Sequence, residues 1–243
     1  MENTPSLAAP ESPRNAPDAS GVRLCIQAAL AVARRPSRAT FATRMRVIEP
    51  AWIPRLLVVV VALDMLSGLA GLVVSAFIAT PSASPADYLF GVPSLMDRFI
   101  YALIVVPLTD VLALALIVFG AALLKPAGQE QVSVRARARE VLRPYLLAEG
   151  VVASVLLLIG QPVAALQVTG IGQSPLALLL TGAASLAILI YTVVALLNAL
   201  AAGSGVSRWL LIVVLVLGVA VAGAIGWFGL GALLALVGIH LPL

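Results

Sequence analysis

The chain has 243 residues, a mean hydropathy of +1.09 and only 11% charged residues, too little charge to cover the surface of a soluble domain of that size. Its net charge of +4 comes from 15 Lys and Arg against 11 Asp and Glu; nearly all the basic residues flank apolar runs, so they mark membrane orientation rather than a nucleic-acid footprint. One cysteine, Cys25, and one histidine, His240, exclude a disulfide framework and any multi-histidine or cysteine-cluster metal site.

In chain order, residues 1–20 are polar with four prolines and no apolar periodicity, which predicts a disordered tail rather than a signal peptide. Residues 21–49 hold a short apolar patch and the run Arg34, Arg35, Arg38, Arg44, Arg46, predicting one or two interfacial helices against anionic lipid, or a solvated basic linker. Together they form an N-terminal cytoplasmic region, 1–49, ahead of a membrane domain, 50–243. The domain carries five apolar stretches, at about 56–79, 99–124, 146–168, 175–202 and 209–231, each near the roughly 20 residues needed to span a bilayer. Too many glycines and too little alternation for barrel strands leave helices, which satisfy their own backbone. The predicted fold is therefore all-α: a polytopic integral membrane protein with a five-transmembrane-helix bundle behind a disordered to basic N-terminal region.

Basic residues alternate between loops. Eight precede the first span, loop 80–98 has only Arg98, loop 125–145 has five, loop 169–174 has none, and loop 203–208 has Arg208. The positive-inside rule then puts the N-terminus and the second and fourth loops in the cytoplasm, and five crossings send the C-terminus outside. In a bacterium this is the inner membrane. Trp209 and Trp227 stand roughly 27 Å apart on a helix and suit two interfacial anchors, which ends the fifth span near Gly231. Residues 232–243 then lie at the interface or continue the span at a tilt.

Each span offers small or polar residues for helix association, among them Ser67, Gly68 and Gly71 in the first and the ladder Gly218, Ala222, Gly226 in the fifth. Three carboxylates, Asp64, Asp110 and Glu149, lie within spans, where an ionised group is costly unless partnered or wet, so each is a functional candidate. At 1.5 Å per residue from the nearest flanking basic residue, Glu149 lies roughly 9 Å deep, Asp64 roughly 13 Å, Asn198 roughly 15 Å and Asp110 roughly 22 Å. Glu149, Asp64 and Asn198 are thus expected to share one polar layer, where two carboxylates would share a proton or bond to neighbouring helices. Pro107 and Pro162 are expected to kink or break their spans.

No nucleophile–base pair, phosphate-cradling glycine loop or metal-ligand set is present, which argues against an enzyme and against a cofactor or metal. Gly203-Ser204-Gly205 lies in a cytoplasmic loop without a histidine at comparable depth. In RARAREVLR, Arg135, Arg139 and Arg143 fall on one face at i, i+4 and i+8, suiting a surface-lying helix that grips lipid headgroups or an acidic partner.

The approach R-x-x-x-P-A-W-I-P-R-L-L (Arg46 to Leu57), a loop helix reaching Tyr145, the fourth span AILIYTVVALLNAL and the turn GVSRW (Gly205 to Trp209) resemble the Yip (Ypt-interacting protein) domain family, in particular its bacterial members, over about residues 40–240. Those relatives usually carry a Gly-rich stretch after the second span and a proline after the loop tyrosine, where this chain has KPAGQEQVSV and Pro144 before Tyr145. The resemblance implies a five-span, non-enzymatic membrane protein; eukaryotic relatives act with small GTPases in vesicle traffic. The expected function is a scaffold or adaptor that organises protein partners or anionic lipids at the cytoplasmic face. The alternative is a small transporter or channel subunit using Asp64, Asp110 and Glu149. Partners are membrane lipids and an unknown protein, not nucleic acid, and a homo-oligomer is left open.

Overall fold

The computed structural model describes residues 19–45, 49–78, 99–124, 132–168 and 174–230, and residue 232. Residues 1–18 of the expected tail 1–20, the loops around 80–98 and 125–131, and the terminal stretch with His240 lie outside them, while Ala19 and Ser20 already belong to the first helix. Every element among the described residues is helical. Helices α1 (Ala19–Arg34) and α2 (Arg38–Met45) open the chain, and a 3-10 turn, Pro50–Trp52, leads into α3 (Ile53–Ile78). Then follow α4 (Val106–Leu123), α5 (Val134–Val155), α6 (Gln161–Val168), α7 (Pro175–Ser204) and α8 (Arg208–Ala224). Four helices, Pro50–Val74, Ala102–Leu123, Val134–Gln167 and Pro175–Ser204, are long and apolar enough to cross a membrane, as befits a multi-pass membrane protein. Arg208–Ala224 is apolar but shorter.

Local chemistry sets several boundaries. Ser133 and Ser174 cap α5 and α7, each accepting a hydrogen bond from the amide three residues on, at 3.3 and 3.2 Å. Gly205 closes α7 in the left-handed conformation, φ 71°, which a side chain would disfavour. The prolines expected to kink or break their spans each stand beside a departure from regular α-helix. Pro107 and Pro162 each follow a π-helical turn, Tyr101–Val105 and Leu156–Gly160. In each case the carbonyl four residues back, of Leu103 or Leu158, belongs to that wider turn, which opens where the pyrrolidine ring would clash.

The segment 135–143, expected to lie on the membrane surface, is continuous with the third apolar helix. Helix α5 starts at Val134, runs through Pro144 without ending, and continues through the π-helical turn into α6, so the helix that holds the third apolar stretch begins before 146. Between Ser133 and Val155 only Pro144 and Gly150 disfavour helix, and a single proline leaves one carbonyl, that of Glu140, without its amide. Gly203 of α7 comes against that carbonyl: a Cβ there would lie 2.8 Å from the Glu140 oxygen and 2.6 Å from the Val141 Cα. The glycine lets the two backbones meet where the freed carbonyl faces outward.

Helix α5 is the hub, packing against α7, α3, α4 and α1, while α8 lies along α4 and α2 along α7. The fifth-helix ladder faces α4 as its spacing implies, since a Cβ on Gly218 would strike Ile117 and one on Gly226 would strike Thr109. Tight packing concentrates at the end carrying α1 and α2, where Val32, Phe41, Val141, Tyr145, Leu200 and Leu211 are buried. The first half of α7 instead turns Leu176, Leu179, Leu186 and Leu189 outward, as lipid contact requires. Trp209, 81% exposed, suits the interfacial anchor expected of it.

Candidate functional site

Two features stand apart from ordinary packing: a cavity lined by carboxylates and an arginine-rich end. The cavity, about 290 Å³, lies among α3, α4, α5, α7 and α8. Asp64, Asp110 and Glu149 line it from three helices, with Thr109, Tyr145 and Thr192. The Tyr145 side chain is buried and stands one helical turn before Glu149 on the same helix. Among the described residues no three acidic, histidine or cysteine side chains close on a point that could hold a metal ion. Three carboxylates round one cavity suit proton sharing or the attraction of a cation.

A second cavity, about 440 Å³, shares Leu156 and Thr192 with the first and carries Ser67, Gln161 and Ser185. Gln161 Nε2 donates to Ser67 Oγ at 3.1 Å and Gln167 Nε2 to Ser185 Oγ at 3.4 Å, so the polar side chains of this half bond across helices. Gln161 and Gln167 are further polar residues of the third apolar helix, visible as the two amides in the second half of an otherwise largely apolar stretch.

The expected polar layer needs one correction. Asp110 joins Asp64 and Glu149 at the cavity, and Asn198 does not. Asn198 is buried, and its Nδ2 donates to the Pro36 carbonyl at 2.7 Å. Tyr191, two turns earlier on the same face, donates its hydroxyl to the Ala33 carbonyl at 3.2 Å. Tyr191 thus satisfies a carbonyl in the last turn of α1, and Asn198 one in the connection between α1 and α2. Phe41, fully buried, plugs α2 into the same core. The basic segment is thus a fastened pair of helices rather than a linker. The serine of Gly203-Ser204-Gly205 has a structural role: its hydroxyl donates to the Leu200 carbonyl at 2.7 Å and accepts from the Val206 amide.

The arginine face divides. Arg135 and Arg139 are exposed, but Arg143 is half-buried and its Nε has no hydrogen-bond partner. Arg137, absent from the expected face, is 6% exposed, with Nε and Nη1 unpartnered. Its burial follows from helical spacing: Arg137, Val141 and Tyr145 stand at i, i+4 and i+8, on the side of α5 turned to the core. Around this end stand the exposed Arg34, Arg35, Arg38 and Arg44 of α1 and α2.

The chain was compared with protein-family models, curated proteins and solved structures. None matches. The functional reading therefore rests on the residues and their geometry.

Proposed function

We propose that this chain is a five-span, Yip-like inner-membrane protein without enzymatic activity, a scaffold or adaptor that presents a preorganised arginine-rich platform to anionic headgroups and an acidic protein partner. The observation that carries the reading is the fastening of α1 and α2 onto α7 by Asn198, Tyr191 and Phe41, which holds Arg34, Arg35, Arg38 and Arg44 in fixed register with Arg135 and Arg139. A flexible basic tail would lose its freedom on binding; a fixed surface has already given it up. Each arginine near an anionic leaflet contributes about 1 kcal/mol, so six together hold this end at the membrane surface.

Five crossings are supported by the continuation of α8 through a π-helical turn, Ile225–Leu230. From Arg208 to Leu230 the helix reaches roughly 30 Å, the thickness of a hydrocarbon core. Positive-inside orientation then puts the platform in the cytoplasm and the C-terminus outside.

The test is affinity purification from native membranes in mild detergent. A discrete partner is expected with wild type and with Asp64→Asn, and its recovery should fall about tenfold or more when both exposed arginines are removed in Arg135→Ala/Arg139→Ala, a loss of charge-assisted bonds. A second reading, cation or proton transfer, is favoured by the two adjoining cavities that run from the three carboxylates to Ser67, Gln161 and Ser185. It predicts the reverse ranking, with Asp64→Asn inactive and the arginine variant unimpaired.

A further inference from the structure

A groove of about 320 Å³ between α1, α3 and α5 belongs to neither feature above. Its walls are apolar, supplied by Val22 and Ile26 of α1, Val59 and Leu63 of α3, and Leu147 and Val151 of α5. The Ser154 hydroxyl at its far end is spent on the Gly150 carbonyl of its own helix, at 2.7 Å. The Cys25 side chain enters it half-buried, its thiol held above the ordinary range by loss of solvent. One charged group borders it, Arg55.

Arg55 is exposed, stacked over the Trp52 indole with its guanidinium carbon 4.8 Å from the ring centroid, and faces no carboxylate among the described residues. The stacking fixes the cation at the mouth while leaving its N–H groups free to donate. From Arg55 to Leu63 the groove runs down α3 for roughly 12 Å, toward the membrane interior. Val22 and Ile26 at its edge, with Leu30 beyond it, form an exposed apolar strip along α1 at i, i+4 and i+8. A helix with one face packed on the bundle and another bare apolar strip sits at the headgroup–acyl boundary. The groove therefore opens toward lipid at the depth where headgroups meet chains, with a cation at its headgroup end and hydrocarbon below.

We propose that this groove holds one acyl chain of a bilayer phospholipid, with Arg55 bonded to its phosphate. The charge selects an anionic head, the apolar walls select a hydrocarbon tail, and the volume lies within the range of small-ligand sites, about 300–1,000 Å³. This assignment is independent of the adaptor reading, because neither Arg135 nor Arg139 contributes to it.

The experiment is photocrosslinking of the full chain in lipid nanodiscs doped with a phosphatidylglycerol analogue carrying a diazirine in mid-chain. Adducts are expected to concentrate on peptides containing Val22 to Ala29 and Leu56 to Leu63, and to be suppressed by excess phosphatidylglycerol but not by diacylglycerol with the same chains. Arg55→Gln should lower the yield about tenfold, and Arg55→Lys, which keeps the charge, should retain most of it. Adducts spread evenly over all lipid-facing helices, no adduct in the groove, or equal competition by diacylglycerol would overturn the proposal. The competition arm uses wild type alone, so a misfolded variant does not decide the outcome.

Discussion

Gly203→Leu is expected to separate α7 from α5 and destroy the packed end of the bundle. The contact is between backbones, with the Val141 Cα and Glu140 carbonyl within 3 Å of where a Cβ would stand, so no side-chain rotation can make room. Even Gly203→Ala should cost about 1–3 kcal/mol by overpacking, and leucine more. The control lies on the same helix: a Cβ on Gly182 meets nothing within 4 Å, so Gly182→Ala should be neutral or stabilise by up to about 1 kcal/mol from helix propensity. Thermal scans of monodispersity in mild detergent measure the three variants side by side. Equal midpoints for Gly203→Leu and wild type would show that α5 and α7 do not meet as described.

The second large effect is expected at Asn198. Replacing it with leucine removes the bond to the Pro36 carbonyl and leaves that carbonyl unpaired against a core where Val32 and Phe41 are fully buried. Loss of one buried partner costs about 1–3 kcal/mol, and here the cost falls on local opening of α1 and α2 rather than on the whole bundle. Hydrogen exchange in residues 28–42 should therefore accelerate about tenfold or more while amides of α5 hold their rates. Tyr191→Phe, which gives up the longer 3.2 Å bond, should have a smaller effect in the same direction. Unchanged exchange in Asn198→Leu would mean that α1 and α2 are held by packing alone.

Much of the membrane architecture is legible in residue order. Apolar length marks the helices, and the Gly218, Ala222, Gly226 ladder correctly marks a face pressed on a neighbour, Ile117 and Thr109 of α4. Relative position along the helices is where residue order misleads, because a count from the nearest arginine takes that arginine as the start of the helix. Arg143 lies well inside α5, so counting from Val134 puts Glu149 roughly 22 Å along, level with Asp110 at roughly 22 Å from Lys125. Asn198 stands only roughly 10 Å from the end of α7 at Gly205, beside the α1–α2 connection and away from the carboxylates. Taking Arg135, Arg139 and Arg143 as one face also hid Arg137, whose burial appears only once Val141 and Tyr145 are read as its neighbours on a continuous helix. Proline carries the remaining ambiguity. Pro144 is absorbed because α7 offers Gly203 to the freed carbonyl, and that is a tertiary fact with no local signature.

A cytoplasmic adaptor requires that the arginine platform face the inside of the membrane. Ala42, exposed on α2, offers a reporter position in a chain whose only native thiol is removed by Cys25→Ser. In this Ala42→Cys variant, a membrane-impermeant maleimide should label inverted inner-membrane vesicles efficiently and intact spheroplasts hardly at all. Efficient labelling of intact spheroplasts would place α1, α2 and their arginines outside the cell and contradict the cytoplasmic adaptor.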